Sequence, residues 1–408
     1  MLLRRCCCLL TLAGALAGCY YSVRLGLADW LAQEGTVAAT SKSLKLAPGN
    51  SEYLGNAAAA MDDSGLDGTP LWERAALVNS LDARNWIRLS GRAEGNGDEA
   101  TAEADLHRAY RADPEFDSRW ALANFYLRRG DRLHTLEWAR RTLEFGSGDL
   151  KAVFQLCWEA GAAGSEILEK AIPARSTVLG AYLGYLNNAA GSEATAKIEA
   201  ATAVTKKLLG VAGKEEERAL VDFCSRALSQ GQVEDAYTVW NGLIARGLLQ
   251  AELVVPSAGG LVNADFAREP TGAGFDWTVQ TVDGITVQRP GSGIRVVFSG
   301  KEPESFVLLG QFVALVPSRN YRFSFRYECG DMTGAGLKWV FFDPRTEAVV
   351  ASAGPNDDTA GEHGAEARFE APADVDLVRL ELRYAREPGT VRPDGWIRFS
   401  RIRLEAEP

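Results

Sequence analysis

Three tryptophans in the C-terminal half, Trp277, Trp339 and Trp396, have the clearest chemical use in this chain. A flat indole is a platform on which the carbon face of a sugar ring stacks while polar neighbours bond its hydroxyls. The same rings serve as core packing, and Trp339, alternating with Leu337 and Phe341, suits a core position best. Bond-making chemistry has less to work with. His107, His134 and His363 stand at no metal-binding spacing, and HExxH, GxSxG, GxxxxGKS/T and GxGxxG are all missing. The loop GPNDDTAGEHG carries Asp357, Asp358 and Glu362, oxygen ligands of the kind calcium takes, but their spacing matches no calcium loop and a solvated acidic loop is expected. The expectation is a protein with no catalytic residues, no cofactor and no metal, and not an enzyme. A carboxylate pair for glycoside hydrolysis needs no motif, so a glycan-acting hydrolase stands as an alternative. It requires an exposed carboxylate pair in a groove.

The elements that must position these residues follow from bulk properties. A chain of 408 residues, 46% hydrophobic and 24% charged, is a folded protein of two or three domains. Its net charge of −10 neutralises no phosphates, so nucleic acid is not an expected partner. Of seven cysteines, Cys6, Cys7, Cys8 and Cys19 crowd the start, while Cys157, Cys224 and Cys329 lie far apart without CxxC spacing. Buried thiols are expected there, not a zinc site or a disulfide framework.

The N-terminus, MLLRRCCCLLTLAGALAGCYYSV, places Arg4 and Arg5 before an uncharged apolar run. The arginines should stay cytoplasmic and the rest of the chain cross the membrane. Leu16-Ala17-Gly18-Cys19 resembles a bacterial lipoprotein box, which implies lipidation of Cys19. Alternatively residues 6–23 stay as a minimal membrane helix, with Tyr20 and Tyr21 at the far interface and the helix running on into SVRLGLADWLA. Either outcome gives a membrane-tethered protein facing an extracytoplasmic, periplasm-like space; a cleaved, freely secreted product is the third option.

A bulky aromatic recurs every 33–34 residues at Tyr20, Tyr53, Trp86, Trp120 and Phe154. From Trp86, residues Leu89, Ser90 and Ala93 share one helix face; GNGD breaks the chain; Ala102, Leu106 and Ala109 share the next face; and Pro114 ends it. This pattern resembles the tetratricopeptide repeat, strongly over residues 50–145 and loosely over 20–250. In the next unit the 34-residue spacing puts Asn124 where a small residue is usual. EEERALVDFCSRALSQGQVEDAYTVWNGLIARGLL reads as a further helix pair turning at Gln230-Gly231-Gln232. The resemblance implies a groove that holds a partner protein, and Arg88, Arg92, Asn124 and Arg128 are the first-helix polar residues expected to line it.

Beyond Leu249 the texture changes to short alternating runs. NYRFSFRY sets Tyr321, Phe323, Phe325 and Tyr327 on one face, and about ten strands fit in 252–405. GWIRFSRIRLE changes phase between Phe399 and Ile402, which a bulge would restore. LVNADF, GFDW and LLGQFVALVPSRNYRFSF give this stretch a resemblance to jelly-roll, carbohydrate-binding-like modules, which implies a polysaccharide partner.

The expected fold is multidomain α + β: an anchor or signal over 1–23, a repeat domain over 24–250, a linker and first strand over 251–262, and an antiparallel sandwich over 263–408. The architecture resembles repeat proteins that accompany bacterial surface-polysaccharide assembly and export. It implies a scaffold whose repeats dock a protein and whose sandwich binds glycan. The alternative is a protein-interaction module with a purely structural sandwich.

Overall fold

The computed structural model describes residues 2–146, 148–189, 194–330, 336–355 and 361–407. They form two compact units, Met1–Pro173 and Ala174–Pro408. The first is helical throughout: α1 (Leu2–Gln33), α2 (Val37–Leu46), α3 (Ser51–Asp63), α4 (Thr69–Val78), α5 (Ala83–Gly95), α6 (Glu99–Ala112), α7 (Phe116–Arg128), α8 (Arg132–Phe145), α9 (Leu150–Glu159) and α10 (Gly164–Lys170). Consecutive helices pack as pairs, and each pair packs on the next. Local chemistry starts them where it should. Thr36, Asn50, Asp82, Asp98, Asp131 and Asp149 each cap a helix by accepting a bond from a first-turn amide. Gly97 and Gly130, at φ 78° and 70°, make the same left-handed turn inside successive pairs.

Burial reveals the register of the repeat. Asn85, Leu89 and Ser90 of α5 are matched 33 residues on by Ser118, Leu122 and Ala123 of α7. Ala102, Leu106 and Ala109 of α6 are matched by Thr135, Ala139 and Thr142 of α8. The aromatic spacing of 34 therefore slips by one in this unit: Ala123, fully buried, holds the small position, and Asn124 does not. Trp86 does fill the gap between pairs, packed with Leu89, Ala76 and Trp72. In the α3–α4 pair the longer turn ends with Trp72 against Gly55, where a Cβ would stand 3.2 Å from the indole. Trp72 Nε1 donates to Asp62 at 2.9 Å.

α1 is one continuous helix running through Cys19, and among its residues whose side chains are described only Ala28 and Ala32 are buried against its neighbours. Among the described residues, no helix is long and apolar enough to cross a membrane.

The second unit opens with α11 (Ser176–Asn187), α12 (Ala194–Val211), α13 (Glu217–Ser229) and α14 (Val233–Ala245). The α13–α14 pair turns at residues 230–232 as expected. Ten described strands follow: β1 (Thr278–Val279), β2 (Ile285–Gln288), β3 (Ile294–Ser299), β4 (Ser305–Ala314), β5 (Asn320–Gly330), β6 (Leu337–Phe342), β7 (Val349–Ala353), β8 (Gly361–Glu370), β9 (Leu377–Ala385) and β10 (Asp394–Ala406). They form two antiparallel five-stranded sheets, β1-β4-β9-β6-β7 and β2-β3-β10-β5-β8. The chain changes sheet at most connections, as a jelly-roll sandwich does. Tyr321, Phe323, Phe325 and Tyr327 all face the core at 2% exposure or less. The β10 register shifts between Ser400 and Arg403, the bulge expected from the phase change, and it returns Ile402 and Leu404 to the interior.

The change from helix to strand does not coincide with the boundary between units. α13 and α14 dock on the segment that leads into the sandwich. Gly274 N donates to Ser225 Oγ at 2.6 Å, Trp240 Nε1 donates to Glu252 O at 3.1 Å, and Trp240 meets Phe275 edge-on at 5.8 Å. Gly274 has φ 63°, and a Cβ there would lie 2.5 Å from the Trp240 ring. Gly274→Ala should therefore cost about 2–4 kcal/mol through strain and overpacking. Denaturant unfolding of the full chain measures this, and an unchanged midpoint would refute the docking role.

Candidate functional site

The first helices of three successive pairs, α3, α5 and α7, stand side by side and enclose a groove of about 510 Å³. Its floor is small or apolar (Gly55, Ala59, Ile87, Ala121), and its walls carry Asn56, Asn85, Arg88, Asp117 and Trp120, with Trp72 behind. Trp120 is half-buried and stacks on Phe116 at 6.1 Å. It is therefore a groove aromatic, not the counterpart of Trp86. Arg84 bonds Asp82 at 2.9 Å and holds that carboxyl below its ordinary range. Asn85 is 3% exposed, yet its Nδ2 donates to nothing among the described residues. A buried donor left without an acceptor costs about 1–3 kcal/mol.

Of the four polar residues expected in this groove, Arg88 alone lines it. It is exposed and forms no ion pair or hydrogen bond among the described residues. Arg92 instead pairs with Asp62 of α3 and with Asp67, and it donates to Thr69 Oγ1 at 2.9 Å. Arg128 makes a two-pronged pair with Glu94 of α5, 2.7 Å on each arm. Asn124 donates to Trp120 O of its own helix at 2.9 Å. Arg92 and Arg128 are thus staples between successive first helices. Asn85 and Trp120 escaped the sequence because helical periodicity ranks a residue's face without saying which neighbouring helix is missing from it.

The tryptophans separate as clearly. Trp277 and Trp339 are both fully buried, with ring centroids 5.7 Å apart, so neither is a platform for a sugar. Trp277 stacks on Phe266 and donates Nε1–H to Asn263 O at 3.1 Å, which tucks the segment before β1 under the sandwich. Trp396 is half-buried on the outer face of its sheet. The Arg295 guanidinium covers its ring at 3.9 Å, and its edge lies across Gly330, so it too is occupied. Cys19 is exposed on α1, while Cys157, Cys224 and Cys329 are buried, as expected. Burial pushes the Cys157 thiol up to about 12. Asp357 and Asp358 lie outside the described residues, and Glu362 is exposed at the start of β8. Among the described residues no group of three or more His, Cys, Asp or Glu side chains is placed to hold a metal.

No known family matches this chain, and no curated protein matches it. Solved structures resemble its parts. A structure described as CBM4 matches at TM-score 0.29 and 13% identity, covering 36% of this chain and 98% of its own. PilW, a type IV pilus biogenesis factor, matches at TM-score 0.27 and 13% identity, over 57% of this chain and 95% of its own. A carbohydrate-binding module of Cellvibrio mixtus lichenase 5A, in complex with cellotriose, matches at 0.21 and 13%, over 32% and 92%. Likenesses this slight carry no functional conclusion.

The staple on Asp62 makes the helical unit acid-sensitive. Burial alone would raise the Asp62 carboxyl, but the bonds from Arg92, Trp72 and Gly68 outweigh it and hold it below its ordinary value. A carboxylate lowered by folding stabilises above its unfolded value, about 3.9, and that contribution disappears as pH falls through the folded value. Asp62→Asn should therefore lower Tm at neutral pH, and the gap to the parent should close below about pH 4. Thermal melts across this range test it; a constant gap would show that the charge contributes nothing.

Proposed function

We propose that this protein is a membrane-tethered, extracytoplasmic scaffold and not a catalyst. Its helical groove docks an extended segment of a partner protein, and its sandwich engages a glycan in surface-polysaccharide assembly or export. The observation that carries the docking role is the α3–α5–α7 groove, with the half-buried indole of Trp120 and the unpaired Arg88. An extended segment brings an apolar side chain for Trp120 and the small-residue floor, and a carboxylate for Arg88.

The tether is supported by α1. Leu10, Leu12, Leu16, Tyr20, Tyr21 and Val23 are 56–73% exposed on that helix, an apolar run far larger than the scattered exposed residues of an ordinary surface. A bilayer covers such a run, through a lipid on Cys19 or through the helix itself.

A second reading has one observation in its favour. Glu328 and Glu362 are directly opposed across β5 and β8, exposed, and border a pocket of about 250 Å³. An opposed pair of exposed carboxylates beside a pocket supports the reading as a glycan-acting hydrolase. Release of reducing ends from oligosaccharides, lost in Glu328→Gln, would establish it.

The test of the scaffold is a crosslinking pull-down from the protein's own membranes, with retained proteins and sugars both analysed. The parent should recover a partner protein and glycan. A folded Arg88→Gln/Trp120→Ala variant should recover about tenfold less partner, the effect of losing one charge-assisted bond and one aromatic anchor. Undiminished recovery would move the docking site away from this groove.

A further inference from the structure

We propose that the outer face of the β2-β3-β10-β5-β8 sheet binds an anionic sugar through Arg326, Arg401 and Arg403. The inference rests on the reading of the sandwich as a glycan-binding unit and replaces aromatic stacking with charge as the means of recognition.

The ladder arranges this face in rows. Glu328 lies between Arg398 and Glu362; Arg326 between Ser400 and Gly364; Ser324 between Arg403 and Glu366; and Arg322 between Glu405 and Arg368. The last row is internally neutralised: Arg322 bonds Glu405 at 2.6 Å, and Arg368 lies 3.6 Å from Glu407. The two middle rows are different. Arg326, Arg401 and Arg403 are all exposed, and among the described residues none donates a hydrogen bond or reaches a carboxylate at ion-pair distance. They surround a shallow basin of about 610 Å³ with Ser324, Gly364 and Glu366. Gly364 leaves room for the Arg326 guanidinium, which a Cβ would meet at 3.4 Å. Beyond the Glu366 carboxylate on its rim, the basin is lined by three guanidiniums in a chain of net charge −10.

The bulge in β10 is the second, independent observation. Returning Ile402 to the core requires one extra residue in this strand, and that residue adopts a left-handed conformation: Arg401 has φ 50°. Glycine takes that position without cost, and an arginine there is strained. Nothing inside the protein compensates the strain, because the Arg401 side chain packs in no core and pairs with no carboxylate. The bulge explains the register, and a ligand on this face would account for an arginine at that position.

The ligand class follows from the donors and their surroundings. Guanidinium forks bind planar and tetrahedral anions in a two-pronged fashion. The flanking Glu328, Glu362 and Glu366 accept bonds from hydroxyl groups and repel a continuous polyphosphate. One acid group per ring on a hydroxyl-rich chain satisfies both requirements, as in a polyuronate.

The full-length protein in detergent micelles is tested against alginate, neutral dextran and a single-stranded oligonucleotide, with Arg326→Gln/Arg403→Gln and Arg401→Gly alongside. Alginate should bind, more weakly as salt is raised, and dextran should not. The double variant should lose about tenfold or more in affinity, as expected for charge-assisted bonds. Arg401→Gly should lose affinity for alginate while its Tm stays equal or rises, because glycine relieves the backbone. A fall in Tm with unchanged affinity would make Arg401 structural and overturn the proposal. Equal binding of dextran and alginate, insensitive to the variants, would leave glycan binding standing and remove the arginine site. Binding of neither polysaccharide would remove both, and preference for the oligonucleotide would replace the sugar with a polyphosphate.

Discussion

Two helices cross in close contact only where at least one of the meeting side chains is small, and the helical unit depends on that constraint. Gly55 lies against Trp72, and the small residues Ser90, Ala102, Ala123 and Thr135 are all buried. Once the crossings are fixed, the first helices of α3–α4, α5–α6 and α7–α8 must stand side by side with one face left uncovered. The groove is that face. Asp62–Arg92 and Glu94–Arg128 tie the first helices together alongside it, so charge that would otherwise decorate the groove is spent on alignment. What remains for a partner is a small-residue floor, an indole and one unpaired arginine, placed by packing elsewhere.

The second unit obeys a different constraint with a similar outcome. Alternation along each strand sends every second side chain inward, and the large rings of Trp277, Trp339, Phe323 and Phe325 fill the space between the sheets. The aromatic residues that would make a sugar platform are consumed by the core. The outward positions are mostly charged, and the ladder pairs many of those charges across strands. The β10 bulge adds Arg401 to this face beside Arg326 and Arg403, and among the described residues none of the three reaches a carboxylate at ion-pair distance. The helical unit thus presents a small-floored groove and the sandwich a face rich in arginine.

The elements were legible because their causes are local. N-caps such as Asp98 and Asp131, the turns at Gly97 and Gly130, and the alternation in Tyr321–Tyr327 are all read from a few neighbouring residues. The phase break before Ile402 also announced its bulge. The site residues were less legible. Trp120 carried the aromatic spacing that pointed to the repeat, but that spacing slipped by one residue, so it marked the groove and not the packing position. Arg92 and Arg128 looked like groove residues because nothing near them in the sequence names a carboxylate partner; their partners lie 30 and 34 residues away.

The sequence by itself determined periodicity, and with it helix pairs followed by alternating strands, because both depend on residues a few positions apart. Which of two equally apolar faces is covered, which arginine meets a carboxylate, and whether a tryptophan ends in the core or on the surface were decided only by the tertiary structure. Burial and ion pairing are properties of what lies opposite a side chain. In this protein the opposite residue belongs to the next repeat or to a facing strand, beyond the reach of any local pattern.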